Sequence, residues 1–93
     1  MINYIMFHPD GSISHEYYGR KILDKPIEIH GEKDLEVLIE AINGRHNDSG
    51  PAVVYYRPDG VIHCEEYCIN GEFIGEGLNL YTKEAIENYL LIK

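Results

Sequence analysis

The stretch Asn3-Tyr4-Ile5-Met6-Phe7-His8-Pro9-Asp10-Gly11-Ser12-Ile13-Ser14-His15-Glu16-Tyr17-Tyr18 lies over Ala52-Val53-Val54-Tyr55-Tyr56-Arg57-Pro58-Asp59-Gly60-Val61-Ile62-His63-Cys64-Glu65-Glu66-Tyr67 at an offset of 49. Pro-Asp-Gly, the following Ile, a Glu and a Tyr fall in register. In each copy a β-branched and aromatic run leads into Pro-Asp-Gly and a second such run leaves it, which predicts a hairpin. Proline presets the first turn position, Asp tolerates the second, and Gly takes the left-handed position that forms a bulge. Strands are expected over 2–8 and 12–18, and again over 52–57 and 61–68.

The match resumes further on at an offset of 51. Ile27 and Ile29 then lie over Leu78 and Leu80, and Leu35, Leu38 and Ile39 over Ile86, Tyr89 and Leu90. A third short strand is expected over 26–30 and over 77–81. A helix is expected after each, one carrying Leu35, Leu38, Ile39 and Ile42 inward and stopping at Gly44, the other starting at Thr82. The fold class read from this pattern is α+β. It is a duplicated β-β-β-α unit whose antiparallel hairpins form a sheet with two helices packed on it, closed by a pseudo-twofold arrangement. The copies span 1–44 and 50–93, with residues 45–49 as the linker in a stretch rich in Gly, Asn, Asp and Ser.

Length and composition fit one small domain. Ninety-three residues with 44% apolar content can build a core, but about 45 residues each is too few for two independent ones. Sixteen acidic and eight basic side chains give a net charge of −8. That disfavours direct nucleic-acid binding and anionic membrane surfaces, and it favours a basic partner. No apolar run reaches membrane-spanning length and no export leader is recognisable, so a cytoplasmic setting is expected. Cys64 and Cys68, about 13 Å apart along a straight strand, are expected to be free thiols.

The second copy, from Gly50-Pro51-Ala52 through Tyr55-Tyr56-Arg57-Pro58-Asp59-Gly60 to Glu65-Glu66-Tyr67 and Asn70-Gly71, resembles the degenerate MORN-type repeats of bacterial and phage proteins. The first copy keeps Pro9-Asp10-Gly11, Glu16 and Tyr18 but lacks Gly-Pro-Ala and Asn-Gly. The resemblance implies a β-hairpin scaffold used for interactions, and it transfers no catalytic residue.

Four constellations bear on function. Glu32, Glu36 and Glu40 at i, i+4 and i+8 read as one acidic stripe, with Glu28 close by and Glu65 and Glu66 in a second cluster. Such a stripe either meets a basic partner or is simply a solvated face. Tyr55 and Tyr67 belong to a tyrosine set suited to interface anchoring or to cross-strand packing. His15 and Cys64 occupy equivalent positions, and a twofold could bring them together as a nucleophilic dyad. Otherwise Cys64 pairs with Val54 as a buried apolar residue. His63, Cys64 and Cys68 do not converge as a metal set, because His63 points to the opposite face from Cys64. The expectation is therefore a non-enzymatic module without metal or cofactor. It occupies the basic nucleic-acid-binding surface of a partner through Glu28, Glu32, Glu36, Glu40, Glu65, Glu66, Tyr55 and Tyr67. Phage inhibitors of host defence, anti-CRISPR proteins among them, are of this class. The alternatives are a self-assembling domain, a homodimer through strand edges or the tyrosine face, and a small-ligand binder.

Overall fold

The two Pro-Asp-Gly segments form the same turn. In a computed structural model, which describes residues 1–77, Gly11 N–H donates to His8 C=O at 2.9 Å and Gly60 N–H to Arg57 C=O at 2.9 Å. Gly11 and Gly60 have φ of 91° and 87°, the left-handed region that a side chain resists. Asp10 Oδ1 accepts from Ser12 N–H at 2.9 Å, and Asp59 Oδ1 from Val61 N–H at 3.0 Å. Each aspartate thus holds the residue that follows the glycine.

These turns join β1 (Ile2–Phe7) to β2 (Ile13–Tyr18) and β4 (Val53–Tyr56) to β5 (Ile62–Ile69). Between the hairpins lie β3 (Ile27–Ile29), a 3₁₀ turn over Gly31–Asp34, and helix α1 (Leu35–Asn43). A last strand, β6 (Glu72–Gly77), follows β5. The strands form one mixed sheet in the order β3-β1-β2-β4-β5-β6, with β3 parallel to β1 and every other pair antiparallel.

This corrects the expected fold class. The described residues form a six-stranded sheet with a single short helical segment, not a sheet beneath two helices. The physical reason within the described residues is Asn70-Gly71. With φ of 52° and 81°, these two residues make a tight hairpin turn that folds the chain straight back as β6. In the first copy β3 instead returns parallel to β1, so the duplication ends after the hairpins. The second helix expected from Thr82, and all of the expected 77–81 strand except Gly77, lie outside the described residues. The pseudo-twofold is also corrected. Strand β2 pairs with β4, at His15 with Tyr55, Glu16 with Val54 and Tyr17 with Val53, so the hairpins follow one another as a meander.

Alternation along the strands sends Tyr4, Tyr17 and Val53 to one face, where they meet Ile29 and Ala41. Met6, Val37, Leu38 and Tyr55 pack around this cluster. Both hairpins therefore share one core beneath α1. Fully burying a residue such as Val53 stabilises the fold by about 1.5–3 kcal/mol. A smaller cluster of Tyr67, Ile69 and Ile74 serves the β5–β6 end.

The segment expected as a linker is a strap bonded across the ends of the strands. His46 N–H donates to Tyr18 C=O at 3.0 Å, Asn47 N–H to Cys68 C=O at 3.2 Å, and Gly71 N–H to Arg45 C=O at 2.8 Å. Asn47 Nδ2 donates to Pro51 C=O at 2.9 Å, closing the strap on itself. Its polar residues spend their hydrogen bonds on backbone that would otherwise be orphaned. No helix among the described residues is long and apolar enough to cross a membrane.

Candidate functional site

Helix α1 presents the most chemically distinct surface, and its sequence explains why. At 100° per residue, Val37, Leu38 and Ala41 share one side, and this is the side that meets the sheet. Leu35, Ile39 and Ile42 recur at i, i+4 and i+7 on a flank turned away from it, and they are 56%, 50% and 37% exposed. The expected core face therefore needs correction. Of Leu35, Leu38, Ile39 and Ile42, only Leu38 packs on the core, because the apolar arc of the helix is wider than the strip the sheet can cover.

Glu36 and Glu40 continue around the helix beyond Ile39, and both are exposed, as is Glu32. Glu32 lies in the 3₁₀ turn, where the rotation per residue is larger, so only Glu36 and Glu40 keep the α-helical spacing. Glu40 pairs with Lys21 Nζ at 2.7 Å, and that ammonium also donates to Tyr4 Oη at 2.6 Å. The Glu40 carboxylate, with Tyr4 beside it, pushes Lys21 up to about 12, and Lys21 in turn holds Glu40 below the usual carboxylate range. Glu28 on β3 is hydrogen-bonded to His30 Nε2 at 2.8 Å. Among the described residues Glu32 and Glu36 have no ion-pair partner.

The second acidic cluster is internal. Glu65, Glu66 and Tyr67 are all buried, so the structure does not bring them to the surface carrying Glu32, Glu36 and Glu40. Glu66 is paired with Arg45 Nη1 and accepts from Tyr55 Oη at 2.8 Å. Burial, together with the Glu66 carboxylate, raises the Tyr55 phenol well above its ordinary range. Glu65 accepts from Tyr67 Oη at 3.3 Å, and burial with that carboxylate pushes Tyr67 up to about 12. Tyr55 and Tyr67 thus face opposite sides of the sheet, each occupied by a glutamate. Tyr56, on the Tyr67 side, donates to Glu16 at 2.6 Å. Sequence reasoning missed Arg45, whose only signal was being a cation placed directly after a helix stop.

The His15–Cys64 pairing does not form. Both align with Tyr55, His15 from β2 and Cys64 from β5, so they lie two strands apart, roughly 10 Å by the ordinary strand spacing. Cys64 therefore stands opposite Tyr55 rather than the expected Val54, and it is half-buried. His15 stacks on Tyr17 and meets Tyr55 edge-on at 4.6 Å, and burial lowers its pKa. Cys68 is fully buried, and burial pushes its thiol up to about 11. Both cysteines are free thiols, as their spacing predicts. No group of three or more metal-ligating side chains converges among the described residues.

Two open clefts flank the sheet. One, of about 280 Å³, is lined by Tyr4, Tyr18, Arg20, Lys21 and Glu40. The other, of about 290 Å³, lies between the two Pro-Asp-Gly turns and is lined by Ile13, Glu16 and Tyr56. Comparison with family models, with curated proteins and with solved structures finds no match for this chain.

Proposed function

We propose that this protein is an acidic protein-binding module. It docks on the basic, nucleic-acid-binding surface of a partner and blocks it, as phage inhibitors of host defence do. The observation that carries this reading is the exposure of Glu32 and Glu36 without a neutralising cation among the described residues, in a chain of net charge −8. Carboxylates left in this state attract Lys and Arg on a partner and speed encounter with it. Glu28 and Glu40 extend the surface, and Glu66, held by Tyr55, pairs with Arg45 and through it fixes the end of α1, whereas Glu65 and Tyr67 lie on the other face of the sheet.

The test is affinity capture from nuclease-treated host lysate, with the wild type and the Glu32→Lys/Glu36→Lys/Glu40→Lys variant, at low and high salt. Capture of a nucleic-acid-handling protein by the wild type, lost in the variant and weakened by salt, is the expected result. Equal capture by both forms, or capture by neither, overturns the reading.

A further inference from the structure

We infer that Leu35, Ile39 and Ile42 form the apolar seat of the same interface, and that their occupant is a basic amphipathic helix of the partner protein. The inference rests on the reading above and adds the chemistry that an acidic stripe alone lacks.

Leu35, Ile39 and Ile42 span about 10 Å along a nine-residue helix, a length of two turns. All three are large aliphatics, and two are at least half exposed. Burying such surface is favourable in proportion to its area, so the stripe gains from any apolar cover. Its spacing suits the i, i+3/i+4, i+7 anchors of a second helix laid against it.

The charges beside the stripe select among the possible covers. Glu36 and Glu40 border it beyond Ile39, and Glu36 has no cation of its own among the described residues. A second copy packed stripe to stripe in the antiparallel sense would set Glu36 on the same side as its own counterpart. Two chains of charge −8 repel in addition. An anionic lipid surface meets the same objection. A helix with Leu or Ile along one side and Lys or Arg beside it satisfies both parts, since its apolar ridge covers the stripe and its cations reach Glu36 and Glu32. The apolar contact then sets how long the complex lasts, and the carboxylates set orientation and encounter rate.

The probe is a synthetic helical peptide of Leu and Lys with an apolar face at i, i+4 and i+7. Two controls accompany it: the same composition scrambled, and a Ser/Lys peptide of equal charge. Each is titrated into the full-length ¹⁵N-labelled chain. The expected result is binding of the patterned peptide at least tenfold tighter than of either control, with the largest amide shifts within 35–43. Leu35→Gln/Ile39→Gln/Ile42→Gln, which leaves the charge unchanged, loses that tenfold preference. Leu35→Gln alone, at the most exposed of the three positions, weakens binding severalfold and serves if the triple variant fails to fold. Equal affinity for the three peptides, shifts centred outside α1, or an unchanged preference in the Gln variants overturns the inference. So does a wild-type dimer by light scattering that the Gln variants dissolve. The two readings fail separately. If lysate capture is lost on Glu→Lys reversal but persists in the Gln variants, only the apolar seat falls. If capture persists on reversal, the basic-surface reading falls.

Discussion

Replacing Arg45 by Met tests whether the strap is held to the sheet by a coupled charge pair. Arg45 Nη1 is bonded to Glu66 Oε1, and the two side chains are only 19% and 10% exposed. Arg45 Nε also donates to Ile42 C=O at 2.9 Å, holding the end of α1. Met keeps most of the aliphatic stem but leaves the Glu66 carboxylate buried with Tyr55 Oη as its remaining strong donor. Breaking a buried pair in this way costs about 3–5 kcal/mol, and the surviving Tyr55 bond sets the expected loss at about 3 kcal/mol. Glu66→Gln keeps an oxygen for Tyr55 and Arg45 but exchanges charge-assisted bonds for neutral ones, for a loss of about 1 kcal/mol. In the double variant neither charge remains. A well-packed neutral replacement of a buried pair is often nearly neutral, but Arg45→Met also removes the Nε bond to Ile42 C=O and Gln leaves the Tyr55 bond without its charge, so the double variant loses about 2 kcal/mol. The singles together exceed the double by about 2 kcal/mol, and that excess is the coupling. Urea unfolding followed by circular dichroism and tyrosine fluorescence measures all four forms, with the denaturant slope checked for constancy. Single losses that add to the double within about 0.5 kcal/mol would refute the coupling, and with it the strap's attachment through this pair.

Two further predictions concern the turns and the half-buried imidazole of His15. A Cβ on Gly71, at φ of 81°, would sit 2.7 Å from the Asn43 carbonyl oxygen, whereas one on Gly60, at φ of 87°, would meet open space. Gly60→Ala therefore costs only the left-handed backbone term of about 1–2 kcal/mol, while Gly71→Ala adds a clash with backbone and reaches about 3 kcal/mol or more. Equal melting temperatures for the two variants would contradict this. His15 is held below its ordinary pKa by burial, so the native state binds its proton less readily than the unfolded chain. Its contribution is complete above the unfolded value of about 6.5 and is lost as pH falls below it. His46, lowered by burial as well, adds to the same window. In chemical denaturation between pH 7.5 and 5, His15→Phe should flatten the decline, and an unchanged slope would exclude His15 as a source.

The parts of the fold legible in the sequence were those governed by local chemistry. Pro-Asp-Gly dictates its own turn, and both copies adopt it with the same bonds. The β3–α1 segment followed from Ile27, Ile29 and the helical spacing of Leu35 to Ile42. Asn70-Gly71 was equally local and equally informative, but aligning the second copy on the first assigned its next strand to 77–81 and hid the turn. The pairing of β2 with β4 was not legible, because nothing within either strand selects a nonlocal neighbour over the equivalent strand of the other copy. On α1 the helix itself was predictable, but its inward face was not. The apolar arc runs from Val37 through Leu38 to Ile39, and periodicity alone cannot say which part of so wide an arc the sheet covers.

The same distinction explains the tyrosines. Read from sequence, Tyr55, Tyr56 and Tyr67 suit an interface, since each joins an apolar ring to a polar tip. In the sheet each tip meets a glutamate: Tyr55 donates to Glu66, Tyr56 to Glu16 and Tyr67 to Glu65. Glu16 and Glu65 stand at equivalent places in the two copies, and each accepts from a phenol, Glu16 across the strands from Tyr56 on β4 and Glu65 along β5 from Tyr67 two residues on. A carboxylate on a half-buried strand needs a donor nearby, and a phenol supplies one while its ring fills the pleat. Four of the residues expected to meet a partner or anchor an interface, Tyr55, Tyr67, Glu65 and Glu66, thus answer each other within the chain. The flank of α1 differs. There the carboxylates Glu32 and Glu36 and the side chains Leu35, Ile39 and Ile42 receive no such answer from the sheet, and this is the chemistry that the proposed interface uses.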